Sequence, residues 1–69
     1  MRFIIVTDNQ GRETWINVEE IAAMAASGYE GYKCQIILKS GNAFRSIATP
    51  DEIFEELKGH FDKVVYSRV

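Results

Sequence analysis

The sequence predicts an α+β domain: a small antiparallel β-sheet of about four to six strands, made of two hairpins, with one C-terminal amphipathic helix packed on one face. Three observations lead there. Lys33–Lys39 (KCQIILK) is apolar at Cys34, Ile36, Ile37 and Leu38, and Asn42–Ala48 (NAFRSIA) follows it across Gly41. Residues 2–7 (RFIIVT) and 12–18 (RETWINV) repeat that arrangement across Gly11. Thr49-Pro50-Asp51-Glu52 then gives a clear helix start: a Thr N-cap, a proline where no N–H is needed, and a glutamate placed to reach back to the cap.

In the first hairpin, Asp8-Asn9-Gln10-Gly11 is turn chemistry ending in a glycine that supplies a bulge. The resulting register sets Val6 opposite Thr14, Ile4 opposite Ile16 and Arg2 opposite Val18, leaving Phe3, Ile5 and Trp15 on the other face. Neither face is polar, so one of them needs cover beyond a single helix. Asn17-Val18-Glu19-Glu20 repeats the capping logic of the later helix start, and Ile21 parallels Ile53.

Residues 22–27 (AAMAAS) stay open between two structures. Alanine and methionine favour helix, with Ser27-Gly28 to end it. The segment is short, however, and has no polar residues for a solvent face, which also fits a fully buried strand. Gly28–Gly31 is a loop that brings Tyr29 or Tyr32 to the surface.

For the second hairpin two registers compete. A two-residue turn at Ser40-Gly41 pairs Leu38 with Ala43 and Ile36 with Arg45. A three-residue turn with Gly41 as the bulge glycine pairs Leu38 with Asn42 and Ile36 with Phe44. The second is favoured, because it gathers Cys34, Ile36, Leu38 and Phe44 on one face and Lys33, Gln35 and Arg45 on the other. The helix, with an apolar stripe of Ile53, Phe54, Leu57 and Phe61, lies across the apolar face. Glu55, Glu56 and Lys58 face water, and Gly59 is the stop. Residues 63–67 (KVVYS) are β-prone and suit a terminal strand.

Sixty-nine residues make a single domain, 1–69. Chains of this size often need a disulfide, a metal or a partner subunit. One cysteine excludes an internal disulfide, and no Cys/His spacing suggests zinc, so self-association as a homodimer is the remaining support. The apolar run Phe3–Val6 is too short for a membrane span and lacks a cleavage site, which points to a cytoplasmic chain with no membrane contact. A net charge of −2 disfavours a general nucleic-acid binder without excluding a local basic face.

Several residues offer chemistry. Cys34 needs a base such as His60 to act as a nucleophile, but its alternation with Ile36 and Leu38 makes it a buried core thiol. His60 suits the negative end of the helix. Asp51, Glu52, Glu55 and Glu56 form a solvated helix face rather than a metal cluster. With no phosphate-loop, dinucleotide, EF-hand or metalloprotease pattern, the chain is expected to be no enzyme and to carry no cofactor or metal. The candidate interaction residues are Phe3, Ile5 and Trp15. They either pack under residues 60–69, which offer Phe61, Val64, Val65 and Tyr66, or form an exposed aromatic patch for a protein partner. The alternative is a basic sheet face of Lys33, Gln35, Lys39 and Arg45, set beside the aromatic residues to stack and neutralise a single-stranded nucleic acid.

The run Trp15-Ile16-Asn17-Val18-Glu19-Glu20-Ile21, the strand Cys34–Lys39 with Ser40-Gly41, then Phe44 and Pro50-Asp51-Glu52-Ile53 resemble the small flagellar and swarming-associated proteins of the FlbD/SwrD type, over residues 12–58. A more distant similarity is to LytTR-type DNA-binding domains. Both resemblances imply that 22–27 is a strand following a helical turn at 18–21. The FlbD/SwrD likeness implies an accessory regulator. Every matching position is structural, so no binding residue carries over.

Overall fold

Two glycine turns set the pairing of both hairpins. In the computed structural model, which describes residues 2–59 and 66–69, Gly11 and Gly41 take φ of 83° and 96°, conformations that a Cβ disfavours. The Gly41 N–H donates to the Leu38 carbonyl at 2.9 Å and the Leu38 N–H to the Asn42 carbonyl at 2.8 Å. That closes the three-residue bulged turn and places Ile36 opposite Phe44, as expected. The first turn is tied more heavily. The Asp8 carboxylate accepts from the backbone N–H groups of Gln10 and Arg12 at 2.8 and 2.9 Å and also pairs with the Arg12 guanidinium. Its register places Ile4 opposite Ile16 and Val6 opposite Thr14, again as expected.

The chain runs β1 (Phe3–Thr7), β2 (Glu13–Asn17), a 3₁₀ turn (Val18–Glu20), β3 (Ile21–Ala26), β4 (Cys34–Leu38), β5 (Ala43–Ser46), α1 (Pro50–Gly59) and β6 (Tyr66–Arg68). The class is α+β. The strands form two three-stranded sheets, ordered β2-β1-β6 and β3-β4-β5, rather than one continuous sheet. Five strands pair antiparallel within their sheets, whereas β6 lies parallel to β1, with Phe3 beside Tyr66 and Ile5 beside Arg68. A strand was expected near there; residues 63–65 of that expectation lie outside the described residues.

The split follows from the apolar pattern. Ile4, Val6 and Ile16 of the first hairpin share one core with Cys34 and Ile36 of the second, and Ala48 and Ile53 complete it. Burying these faces against each other removes more apolar surface than joining the hairpins edge to edge. The Ile47 N–H donates to the Thr7 carbonyl at 3.0 Å, linking the end of β1 to the segment just past β5.

Of the segment 22–27, residues 22–26 lie in a strand that begins at Ile21, directly after a 3₁₀ turn, and Ser27 lies beyond its end. Asn17 caps the 3₁₀ turn by accepting from the Glu19 N–H at 3.1 Å, and a strand follows. Alanine's helix propensity loses to the hydrogen-bonding edge that β4 offers. The strand is not the fully buried one considered as the alternative. β3 is the outer strand of its sheet, with a bulge between Ile21 and Ala23, and Ala22, Ala23, Ala25 and Ala26 are all exposed.

The helix start is a complete capping box. Thr49 Oγ1 accepts from the Glu52 N–H at 3.1 Å, and Glu52 Oε1 accepts from the Thr49 N–H at 3.1 Å and from its hydroxyl at 3.0 Å. Ile53 is fully buried and Leu57 packs beside the core, so the helix covers the Cys34/Ile36 face. Phe54 does not belong to the buried stripe: it is 54% exposed, with the Lys58 ammonium 5.5 Å above its ring. It sits about 100° around the helix from Ile53, which puts it outside the face that turns to the sheets. Phe61, the last residue of the expected stripe, lies outside the described residues. At the far end of α1, the Arg2 guanidinium donates to the Leu57 carbonyl at 3.1 Å, satisfying an acceptor that the helix leaves open.

Candidate functional site

The aromatic residues of the first hairpin do stand on one face. β2 alternates so that Ile16 is buried while Trp15, on the opposite side, is 53% exposed. Phe3 is half-buried, its ring 6.0 Å from the indole and edge-on at 61°. Ile5 has to be removed from the surface set, because it is fully buried. It occupies the central strand, between Trp15 on β2 and Arg68 on β6, and its carbonyl accepts from the Val69 N–H at 2.9 Å. The candidate contact therefore narrows to Trp15 with the edge of Phe3. The indole is half-exposed. Of the residues considered as its cover, 60–65 lie outside those described.

The basic residues lie elsewhere. Lys33, Gln35 and Lys39 belong to β4 and its flanks and Arg45 to β5, in the second sheet, so they do not stand beside Trp15 on one sheet face. Their own alternation holds: Gln35 and Arg45 are direct partners on the face opposite Cys34 and Ile36. Arg45 is already engaged. Its guanidinium carbon sits 3.7 Å from the centre of the Tyr29 ring, and its Nε is buried without a hydrogen-bond acceptor among the described residues. Tyr29 is 61% exposed, as expected of this loop, whereas Tyr32 is held by a 2.9 Å bond from its hydroxyl to Asn9 Oδ1. Lys33 and Lys39 are exposed. Lys33 also lends a small favourable charge to Glu52, whose carboxyl is held below its ordinary range mainly by the hydrogen bonds from Thr49.

Cys34 is fully buried, and burial pushes its thiol above the ordinary value, partly offset by the Ala25 N–H. The sulfur's hydrogen bond goes to the neighbouring Gln35 carbonyl at 3.7 Å. This is a core thiol with no open approach for a substrate. Its proposed base, His60, lies outside the described residues. The helix acids take structural roles: Glu52 completes the cap and Glu55 pairs with Lys58 at 3.0 Å. Among the described residues, no group of three or more His, Cys, Asp or Glu is arranged to hold a metal. No helix of the described residues is long and apolar enough to cross a membrane.

Sequence reasoning missed the Tyr29–Arg45 stack and the exposed edge of β3. The stack joins a loop to a strand sixteen positions away and leaves no local pattern. The edge had a signal: an apolar stretch of side chains too small to fill a core.

No family model, no curated protein and no solved structure matches the chain.

Proposed function

We propose that this chain is a non-catalytic interaction module that contacts another protein surface through Trp15 and the edge of Phe3. One observation carries the reading: a tryptophan 53% exposed on the outermost strand of its sheet, steadied by a second aromatic ring. Tryptophan concentrates binding energy because it removes a large rigid surface from water at little cost in side-chain entropy. The buried thiol of Cys34 supports the non-catalytic part, since the chain's one cysteine has no access to a substrate. An accessory regulatory role, as the FlbD/SwrD likeness implies, fits a small module of this kind.

A basic-face contact with single-stranded nucleic acid is the second reading, favoured by the shared outward face of Gln35 and Arg45. It ranks below the first because the Tyr29 ring already occupies the guanidinium plane on which a base would stack.

Trp15 is the only tryptophan, so its emission reports this face directly. The dilute chain should show an indole open to acrylamide quenching. A photo-crosslinking residue in place of Trp15 should give one discrete adduct in cells, which Phe3→Ala weakens. An indole shielded at every dilution, with no adduct, would defeat the proposal. Retention on a single-stranded oligonucleotide that fades with salt and is lost in Arg45→Ala would favour the second reading.

A further inference from the structure

We infer that the outer edge of β3 is a self-pairing surface, where two copies of this chain join antiparallel about a twofold axis at Met24 to form one six-stranded sheet. Three observations lead to that partner, none of them involving Trp15.

The first is the hydrogen-bonding edge. Ser27 N–H donates to the Lys33 carbonyl, and β3 and β4 stay in the same register back through Ala25–Gln35 to Ala23–Ile37. In an antiparallel ladder the bonded positions alternate, so the backbone groups of Met24 and Ala26 turn away from β4 toward the open side. Among the described residues no strand pairs with this side, and the flanking alanines are exposed.

The second is how little protection the strand carries: it has no charge or proline and is not short, and its one bulge falls between Ile21 and Ala23. Natural edge strands carry charges, prolines or a short length that discourage pairing. Among the other outer strands, β2 carries Glu13, β5 is four residues long with Arg45, and β6 is three residues long. β3 is the longest strand described and holds only Ile, Ala and Met, with its bulge confined to the first positions.

The third observation identifies the partner. Residues 22–26 read Ala-Ala-Met-Ala-Ala in either direction. A twofold axis at Met24 sets Ala23 against Ala25 of the second copy in the regular part of the strand and brings Ala26 to the bulged Ala22, so each strand meets its own pattern of small side chains. An isologous contact requires this self-complementarity. Charge fixes the direction. Antiparallel pairing sends the exposed Glu19 and Glu20 of the two copies to opposite ends of the interface, whereas parallel pairing would bring four carboxylates together.

Light scattering across a dilution series should show the mass rising from the 7.9 kDa chain to twice that value. Ala26→Pro, which removes an outward N–H, and Ala23→Lys, which charges the exposed face beside the axis, should each hold the chain at monomer mass. Trp15→Ala should leave the dimer intact, which separates this contact from the proposed Trp15 surface. The register has its own test. Oxidising a mixture of differently tagged Ala23→Cys and Ala25→Cys chains should give mixed disulfides well above the random share, since these positions face each other across the axis and buried Cys34 does not compete. A chain monomeric at every concentration overturns the inference. So does a dimer that survives both Ala26→Pro and Ala23→Lys, one that Trp15→Ala alone dissolves, or a random disulfide distribution.

Discussion

Two hairpins built on the same local grammar end in different environments. The central strand of the first sheet, β1, buries three consecutive residues, Ile4, Ile5 and Val6, to 2% exposure or less. The central strand of the second, β4, buries Cys34 and Ile36 fully and leaves Gln35 and Ile37 half-exposed between them. An uninterrupted apolar run marks a strand covered on both sides, and alternation marks one covered on a single side. β4 carries three adjacent apolar residues, Ile36–Leu38, yet buries only the first of them fully, so the glutamine at position 35 is the informative residue. The sheet with the half-exposed face is also the one whose outer strand β3 is mostly alanine.

Truncation tests that contrast most strongly. Ile4→Ala and Ile5→Ala should both destabilise by roughly 2–5 kcal/mol, although the two side chains point to opposite faces of β1. In the second sheet Ile36→Ala should cost a similar amount, while Ile37→Ala should cost about 1 kcal/mol, as expected where burial is partial. Urea unfolding of the four variants decides the matter. An Ile5 variant as mild as the Ile37 one would mean that the outer face of the first sheet is not a packed layer.

The glycines compare the connections in the same way. Gly31 takes φ of 85°, and a Cβ there would lie 2.9 Å from Asn9 Nδ2, in the turn of the first hairpin. At Gly41 φ is 96° and nothing stands within 4 Å of a Cβ. Gly41→Ala should therefore cost about 1–2 kcal/mol from backbone conformation alone. Gly31→Ala should cost more, and the double variant Gly31→Ala/Asn9→Ala should recover part of the difference. Thermal melts of the three variants measure this. No recovery would separate the loop after β3 from the first turn.

The two caps differ less. Thr49→Ala breaks a reciprocal box at the head of a ten-residue helix and should cost about 1 kcal/mol. Asn17→Ala removes one bond to a three-residue turn and should cost less, unless that turn sets the start of β3. Chemical denaturation of both ranks them.

How much of this was legible in the sequence depended on range. The bulged registers, the capping box and the buried thiol follow from residues a few positions apart, and all were readable. Local pattern did not reveal that the hairpins would occupy separate sheets, because Ile4 and Ile36 find each other only once both hairpins exist. Ile5 is buried for a reason equally remote in sequence: its strand becomes the central one of its sheet only when β6, more than sixty positions later, pairs with it. Phe54 was misplaced through its company, since one apolar residue beside Ile53 looks like part of the stripe until the helix is turned. For β3, propensity pointed to helix, while its shortness and lack of polar residues left a strand open and the resemblance tipped the reading to strand. Alanine carries too little side chain to decide the matter without its neighbour.

The smallest expected effect is also the one that compares the two halves most evenly. Asp8 in the first turn and Glu52 in the helix cap are both held below their ordinary values of 3.8 and 4.5, in each case chiefly by backbone N–H donors, from Arg12 and Thr49 respectively. A carboxylate whose folded value is depressed adds stability that is fully present above its unfolded value and is lost as pH falls through the folded one. Both contributions are therefore intact at neutral pH and disappear below about pH 4, within the range of an ordinary carboxyl. Asp8→Asn and Glu52→Gln should each lower the melting temperature at pH 7 and flatten its fall on acidification, and the double variant should flatten it further. The two carboxylates use different hydrogen-bond partners, Gln10 and Arg12 for one and Thr49 for the other, so their effects should add. A double variant that still loses its folded state as steeply in acid as the parent would place the acid sensitivity in other carboxyls and leave the two turns without a common electrostatic role.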